Sequence, residues 1–162
     1  MEVITLKSIH YQDVKKIFEE GIATKNATFT TEAPEWEEWD AQHIPICRFV
    51  AIENNKVIGW IALLPFSNVP AYKGVAEISI YIAKEARNKG VGKKLMEALI
   101  PEAESNFIWM LHAKIFPENI ASIALHKHVG FRVVGVFEQI GQLDNQWRNV
   151  VLMERRSQIV GL

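Results

Sequence analysis

Apolar side chains fall at every second position through Ile78, Ile80 and Ile82, the period of a half-buried strand. They then recur near helical spacing at Val91, Leu95, Ala98 and Leu99, with Lys93, Lys94 and Glu97 turned outward. The chain is organised around this strand-to-helix passage. Upstream, Val3–Leu6 alternates and predicts a first strand; Ser8 can cap a helix whose stripe is Val14, Ile17, Phe18 and Ile22. Trp36 and Trp39 predict a short amphipathic helix within Glu35–Ile44, seated on the core by its indoles. Phe49–Glu53 and Lys56–Leu64 read as strands joined at Asn54-Asn55, a pair that tolerates the left-handed conformation of a tight hairpin.

Downstream, Pro101 cannot donate to the carbonyl four residues back, which predicts that the central helix kinks or stops there. Phe107–Ile115 reads as a strand, and Asn119 as the cap of a helix with Ile120, Ile123, Ala124 and Val129 inward and Gly130 at its end. Phe131–Phe137 and Val150–Met153 predict a final antiparallel pair joined around Gly141–Gln146. The order is strand, one or two helices, three strands, helix, strand, helix, two strands, which is neither a regularly alternating doubly wound sheet nor a repeat array.

Composition narrows the picture. A chain of 162 residues, 49% hydrophobic, is the size of one domain spanning residues 1–162. A formal net charge of −1 argues against a general nucleic-acid binder, so the basic cluster Arg87–Lys94 is a local feature. Cys47 is the single cysteine; no internal disulfide can form, a reducing, cytoplasmic setting is expected, and the thiol reads as a small buried hydrophobe. Met1–Leu6 shows no secretory pattern, and the longest apolar run, Ile58–Pro65, is too short to span a bilayer. His112, His126 and His128 do not make a metal site, and no metal is expected.

Between the central strand and helix lies Arg87-Asn88-Lys89-Gly90-Val91-Gly92, an R-x-x-G-x-G turn. A helix start leaves backbone N–H groups unpartnered and carries partial positive charge, so it suits an anion; two glycines let the main chain come close. The same turn also fits a plain solvated connection beside a basic helix face. A Walker loop is excluded because Lys94 rather than a hydroxyl follows Lys93, and a dinucleotide fingerprint because the third glycine is missing.

The turn is followed about thirty residues later by Asn119-Ile120-Ala121-Ser122-Ile123-Ala124-Leu125-His126-Lys127-His128-Val129-Gly130-Phe131. Together these resemble the GNAT superfamily of acetyl-CoA-dependent N-acetyltransferases. Ala27–Glu32, Pro70–Lys73, Glu77, Phe116–Asn119, Trp147 and Val150–Arg155 extend the likeness to the phosphinothricin or methionine-sulfoximine acetyltransferase family. The resemblance implies an α/β (α+β) GNAT fold: a mixed, mostly antiparallel sheet of about seven strands, splayed between the fourth and fifth, flanked by about four helices. It implies acetyl-CoA as cosubstrate, with its arm against Ile80, Tyr81 and Ile82 and its diphosphate at Arg87, Asn88, Lys89, Gly90, Val91, Gly92 and Lys93. The resemblance further implies Asn119 as a cofactor contact, with Ser122 and His126 expected beside it, and Glu77 as the catalytic general base, directly or through water.

Phe29, Thr31, Tyr72 and Lys73 are the substrate-binding candidates, with Lys73 the cation for an acceptor carboxylate. Two departures stand out. Ser67 occupies a position where many relatives carry arginine, which bears on phosphinothricin itself, and Leu125-His126 stand where the common GNAT tyrosine would protonate the thiolate. The implied activity is acetyl transfer to the primary amine of a small amino acid or analogue by direct attack in a ternary complex. A peptide or protein N-terminus as acceptor, or a CoA-binding sensor with little catalysis, remain alternatives. By analogy the chain is expected to be a homodimer.

Overall fold

The computed structural model describes residues 1–162. Seven strands form one sheet in the order β1-β2-β3-β4-β5-β7-β6. They are β1 (Glu2–Thr5), β2 (Phe49–Glu53), β3 (Lys56–Pro65), β4 (Val75–Ile82), β5 (Met110–Ile115), β6 (Arg132–Leu143) and β7 (Gln146–Arg156). Four helices accompany them: α1 (Tyr11–Ala23), α2 (Trp36–Gln42), α3 (Val91–Ser105) and α4 (Ile120–His128). Every neighbouring pair is antiparallel except β4 with β5. This is the mixed, splayed sheet that the resemblance implied. No helix is long and apolar enough to cross a membrane.

The strand turns follow the residues. Asn54 and Asn55 sit at φ 50° and 61°, and Asp144 and Asn145 at 49° and 62°. These left-handed pairs match the right-handed twist of a two-residue hairpin, and Asn and Asp adopt them at least cost. Both β6 and β7 run further than apolar alternation suggested. The polar stretch Glu138–Gln142 conceals the strand, and a pairing irregularity between Phe137 and Gly141 breaks its period.

The β3–β4 part of the sheet is covered on both faces. On one, the Tyr81 ring lies 4.7 Å from Phe18 and stacks on Trp60 at 5.0 Å, while Trp60 meets Trp39 edge-on at 5.5 Å. Gly21 makes this possible: a Cβ there would stand 2.6 Å from the Tyr81 ring. On the other face α3 covers β1 to β4 with Val91, Leu95, Met96 and Leu99, all buried. Cys47 is buried, and desolvation with the nearby Glu102 carboxylate pushes its thiol up to about 12. It stays protonated, as a small hydrophobe would.

Three local expectations differ from the structure. Ser8 makes no capping hydrogen bond; Ser8–His10 form a 3₁₀ turn, in which the His10 ring accepts the Lys7 amide at 3.0 Å. The central helix passes through Pro101 and ends at Ser105. An interior proline costs roughly 3 kcal/mol, and tertiary contacts of the final turn offset it. Ala103 is wholly buried, Glu102 accepts the Cys47 amide at 3.1 Å, and Glu104 pairs with Arg155 at 3.0 Å. In α4, Ile120 and Ala124 face solvent while His126 is buried, because the helix leans its Leu125 side on Gly92.

The Glu104–Arg155 pair joins the end of α3 to β7 with both side chains largely shielded. Truncating one partner leaves the other charge uncompensated. Glu104→Ala is expected to lower unfolding free energy by about 2 kcal/mol, read from urea denaturation, whereas an exposed pair such as Lys93–Glu97 costs less than about 0.5 kcal/mol.

Candidate active site

The parallel β4–β5 ladder has only three rungs: Val75 with Met110, Ala76 with Leu111, and Glu77 with His112. Beyond Glu77, β4 stays paired with β3 as far as Ile82, while β5 follows β7 to Ile115. The two strands therefore fork. Alternate residues from Ile78 to Ile82 turn N–H and C=O groups into the gap, where no strand meets them. A cavity of about 910 Å³ fills this gap.

Its lining comes from both faces of the sheet. Pairing of β4 with β3 is regular, so Glu77, Ser79 and Tyr81 share the α1 face, and Ile78, Ile80 and Ile82 the α3 face. Glu77, Ser79 and Tyr81 line the cavity together with residues of the Ala27–Glu38 segment, where Thr28 bonds Tyr81; Ile78 and Ile80 line it too, as do Asn119, Ser122 and His126 beside and within α4, the helix packed on α3 through Leu125. The cavity thus passes through the sheet at the fork.

Each polar group has a distinct environment. The Glu77 carboxylate, one-fifth exposed, pairs with Lys114 Nζ at 2.9 Å. Burial pushes the Tyr81 phenol up to about 12, opposed by the Thr28 hydroxyl, so it stays protonated near neutrality. His126 Nδ1 lies 2.7 Å from the Ser122 carbonyl. A carbonyl only accepts, so Nδ1 carries the proton and Nε2 is a bare lone pair, buried without a partner. Burial lowers the His126 pKa and keeps that tautomer neutral. His43, stacked 4.0 Å from Trp39 with Nδ1 donating to its carbonyl, is lowered to about 4 by desolvation.

The segment after α1 roofs the cavity and is latched from β7. Arg148 donates to the Lys25 carbonyl at 2.7 Å, the Asn26 side chain at 2.8 Å and Glu118 at 3.2 Å, with its guanidinium 4.1 Å over Phe116. The Phe29 ring meets Phe116 edge-on at 4.9 Å and lies over Gly141. These contacts fix a loop that has no secondary structure of its own.

The residues singled out from sequence fall into three groups. Glu77, Ile80, Tyr81, Asn119, Ser122, His126 and Phe29 line the cavity. Ile82 and the Arg87–Lys93 turn lie outside its lining, at the head of α3. Asn88 and Gly90 there have φ 61° and 78°, and the first helical bond is Lys94 N–H to the Gly90 carbonyl at 3.2 Å. The amides of Val91, Gly92 and Lys93 have no protein acceptor. Gly92 is set against α4: a Cβ would stand 2.8 Å from Leu125, so its small size serves helix packing. Thr31, Tyr72 and Lys73 stand apart from the lining; Tyr72 packs edge-on against Phe66, which packs on His112. No group of three or more His, Cys, Asp or Glu side chains is placed to hold a metal ion.

Residues 11–131 match the acetyltransferase (GNAT) family as a whole. This chain belongs to that family. An L-methionine sulfoximine/L-methionine sulfone acetyltransferase of Pseudomonas paraeruginosa is 31% identical over 99 residues, 61% of this chain and 58% of that relative, so the match spans less than two thirds of the relative's length. YwnH of Bacillus subtilis, provisionally named a phosphinothricin acetyltransferase, is 33% identical over 162 residues, covering 94% of this chain and 98% of its own. The crystal structure of a GNAT phosphinothricin acetyltransferase from Sinorhizobium meliloti in complex with AcCoA superimposes with TM-score 0.89 at 25% identity, covering 99% of this chain and 90% of that one.

Within this GNAT domain, Lys114, Thr28, His43 and Arg148 are site residues that sequence reading passed over. Lys114 carried a signal, as the only charged side chain in the otherwise apolar run Met110–Ile115 apart from titratable His112. Thr28 was marked only as part of the Ala27–Glu32 likeness, and Arg148 carried no signal, since its partners Lys25 and Asn26 lie far away in the chain.

The buried histidine gives a pH signature. His43 is held near 4 in the fold against about 6.5 when unfolded, so the unfolded chain binds the proton more readily. Its stabilising contribution is complete above about pH 6.5 and is lost as pH falls towards 4. Urea midpoints measured across that window are expected to drop by up to about 3 kcal/mol equivalent, and His43→Phe, which retains a ring on Trp39, reduces the drop.

Proposed function

We propose that this chain is an N-acetyltransferase that moves an acetyl group from acetyl-CoA to the primary amine of a small amino acid or analogue, of the methionine sulfoximine or phosphinothricin type. The observation that carries this reading is the fork: an open strand edge, a cavity reaching both faces of the sheet, and a carboxylate at the last rung. Family membership supplies the reaction class.

The residues present fit the cosubstrate. An extended, amide-bearing arm finds unpaired backbone groups along Ile80–Ile82, and a diphosphate finds three free amides at the head of α3 with Arg87, Lys89 and Lys94 nearby, none of them paired to a carboxylate. Asn119, Ser122 and His126 border the arm's path, the bare His126 Nε2 accepting a donor from it. Acetyl-CoA supplies an activated acetyl carbon and a thiolate leaving group. Glu77 takes a proton from the acceptor ammonium, since only the neutral amine is nucleophilic, and backbone N–H groups of β4 polarise the acyl oxygen. The amine approaches on the α1 face, where Phe29 closes the pocket.

Two further features belong to this reading. The outer strand β6 exposes Val134, Val136, Phe137 and Ile140, which favours a second copy packing there as a homodimer. The lone buried thiol suits a cytoplasmic setting.

Coupled measurement of CoA release with L-methionine sulfoximine, L-methionine sulfone and L-phosphinothricin tests the activity. Turnover above background with at least one of them is expected, and none with any would count against the reading. Glu77→Gln should lower kcat by about 10²-fold or more while acetyl-CoA affinity, measured by calorimetry, stays within about twofold; unchanged turnover across pH would remove Glu77 as the base.

A further inference from the structure

The cavity wall holds four carboxylates, Glu32, Glu35, Glu38 and Glu77, but one ammonium, Lys114. Its two histidines, His43 and His126, are kept neutral by burial. Lys73, the cation suggested by sequence, is exposed on the turn after Pro70–Tyr72, outside the lining. Ser67 supplies no charge there; its hydroxyl accepts the Val69 amide at 3.1 Å. An anionic group on the acceptor therefore has a single fixed counter-charge available.

Lys114 is also placed where such a group would be. On β5 it lies two residues beyond His112, the last rung, and so on the same face as Glu77 but past the point where the backbone ladder ends. Its side chain reaches diagonally back across the fork to Glu77 Oε2 at 2.9 Å; it lines the cavity, and about half of it remains exposed. The resulting ion pair is the complement of an α-amino acid, whose ammonium and carboxylate share one carbon. With the ammonium against Glu77, the carboxylate falls to Lys114. When Glu77 accepts the proton from the amine and becomes neutral, Lys114 loses its partner, and the acceptor carboxylate takes the place of the lost negative charge.

Resting on the acyl-transfer reading above, we propose that Lys114 is the receptor for the acceptor's carboxylate, and that the chain selects free α-amino acids over amines or amides of the same side chain. The Glu77–Lys114 pair then serves two ends: it holds the base, and it measures whether the acceptor carries a carboxylate beside its amine.

The experiment compares L-methionine sulfone with its carboxamide as acceptors for the wild-type protein, Lys114→Met and Lys114→Arg. The amide reports any effect of the substitution on Glu77 alone, and the acid reports the subsite in addition. Wild type is expected to prefer the acid by about ten- to hundredfold in kcat/KM, mainly through KM. Lys114→Met brings the ratio close to one, and Lys114→Arg keeps most of it. An acid-to-amide ratio unchanged by Lys114→Met, or no preference in wild type, overturns the assignment while leaving acetyl transfer intact. If neither acceptor releases CoA, the acyl-transfer reading fails on this substrate, and calorimetric titration of L-methionine sulfone decides the subsite separately. Binding lost in Lys114→Met supports it; equal binding, or none to wild type, overturns it.

Discussion

Three rungs of parallel pairing between β4 and β5, ended at Glu77 and His112, are the constraint on which the site depends. A strand edge left open inside a protein exposes amides and carbonyls that are costly to bury unpaired. The fold tolerates it because β4 is held along its whole length by β3 on its other edge, and β5 by β7. The gap is thus a property of two well-anchored strands. It opens the sheet from one face to the other and leaves hydrogen-bonding capacity for an extended ligand.

What anchors β4 on its α1 face is a cluster of aromatic rings. Tyr81 is clasped between Phe18 and Trp60, and Trp60 rests on Trp39. Gly21 removes the one Cβ that would keep α1 from the Tyr81 ring. On the opposite face Val91 and Leu95 seal α3 to the sheet, and Gly92 admits Leu125 of α4. The same contacts that stabilise the core therefore set the height of α3's free amides relative to the open strand. Fold stability and site geometry share those residues.

Charge is distributed to match. Arg87, Lys89 and Lys94 stand at the head of α3 without an ion-pair partner while Lys93 pairs with Glu97, whereas the α1 side of the cavity is acidic and its single ammonium is engaged by Glu77. The basic turn lies outside the cavity lining, and the acidic wall lies within it. Family membership and the fork point to the same chemistry by independent routes, one from residues shared with relatives and one from the backbone of this chain.

Much of this was legible in the chain itself. Alternation predicted the strand Ile78–Ile82, helical spacing the helix beginning at Val91, and Asn54-Asn55 the hairpin, because each depends on neighbours within a few residues. The face on which Glu77 lies followed from the same period, since no bulge interrupts β4. Local reasoning failed where distant partners intervene. Pro101 does not stop α3 because Arg155 and the Cys47 amide hold its last turn, and the apolar side of α4 was misjudged because Gly92 and the cavity decide which side turns in. Lys114, Thr28 and Arg148 gain their roles only by meeting residues dozens of positions away. The sequence by itself determined the elements and the acid near the start of the central strand; the tertiary structure alone decided which cation stands beside it, since that contact crosses a gap where no backbone pairing records the register.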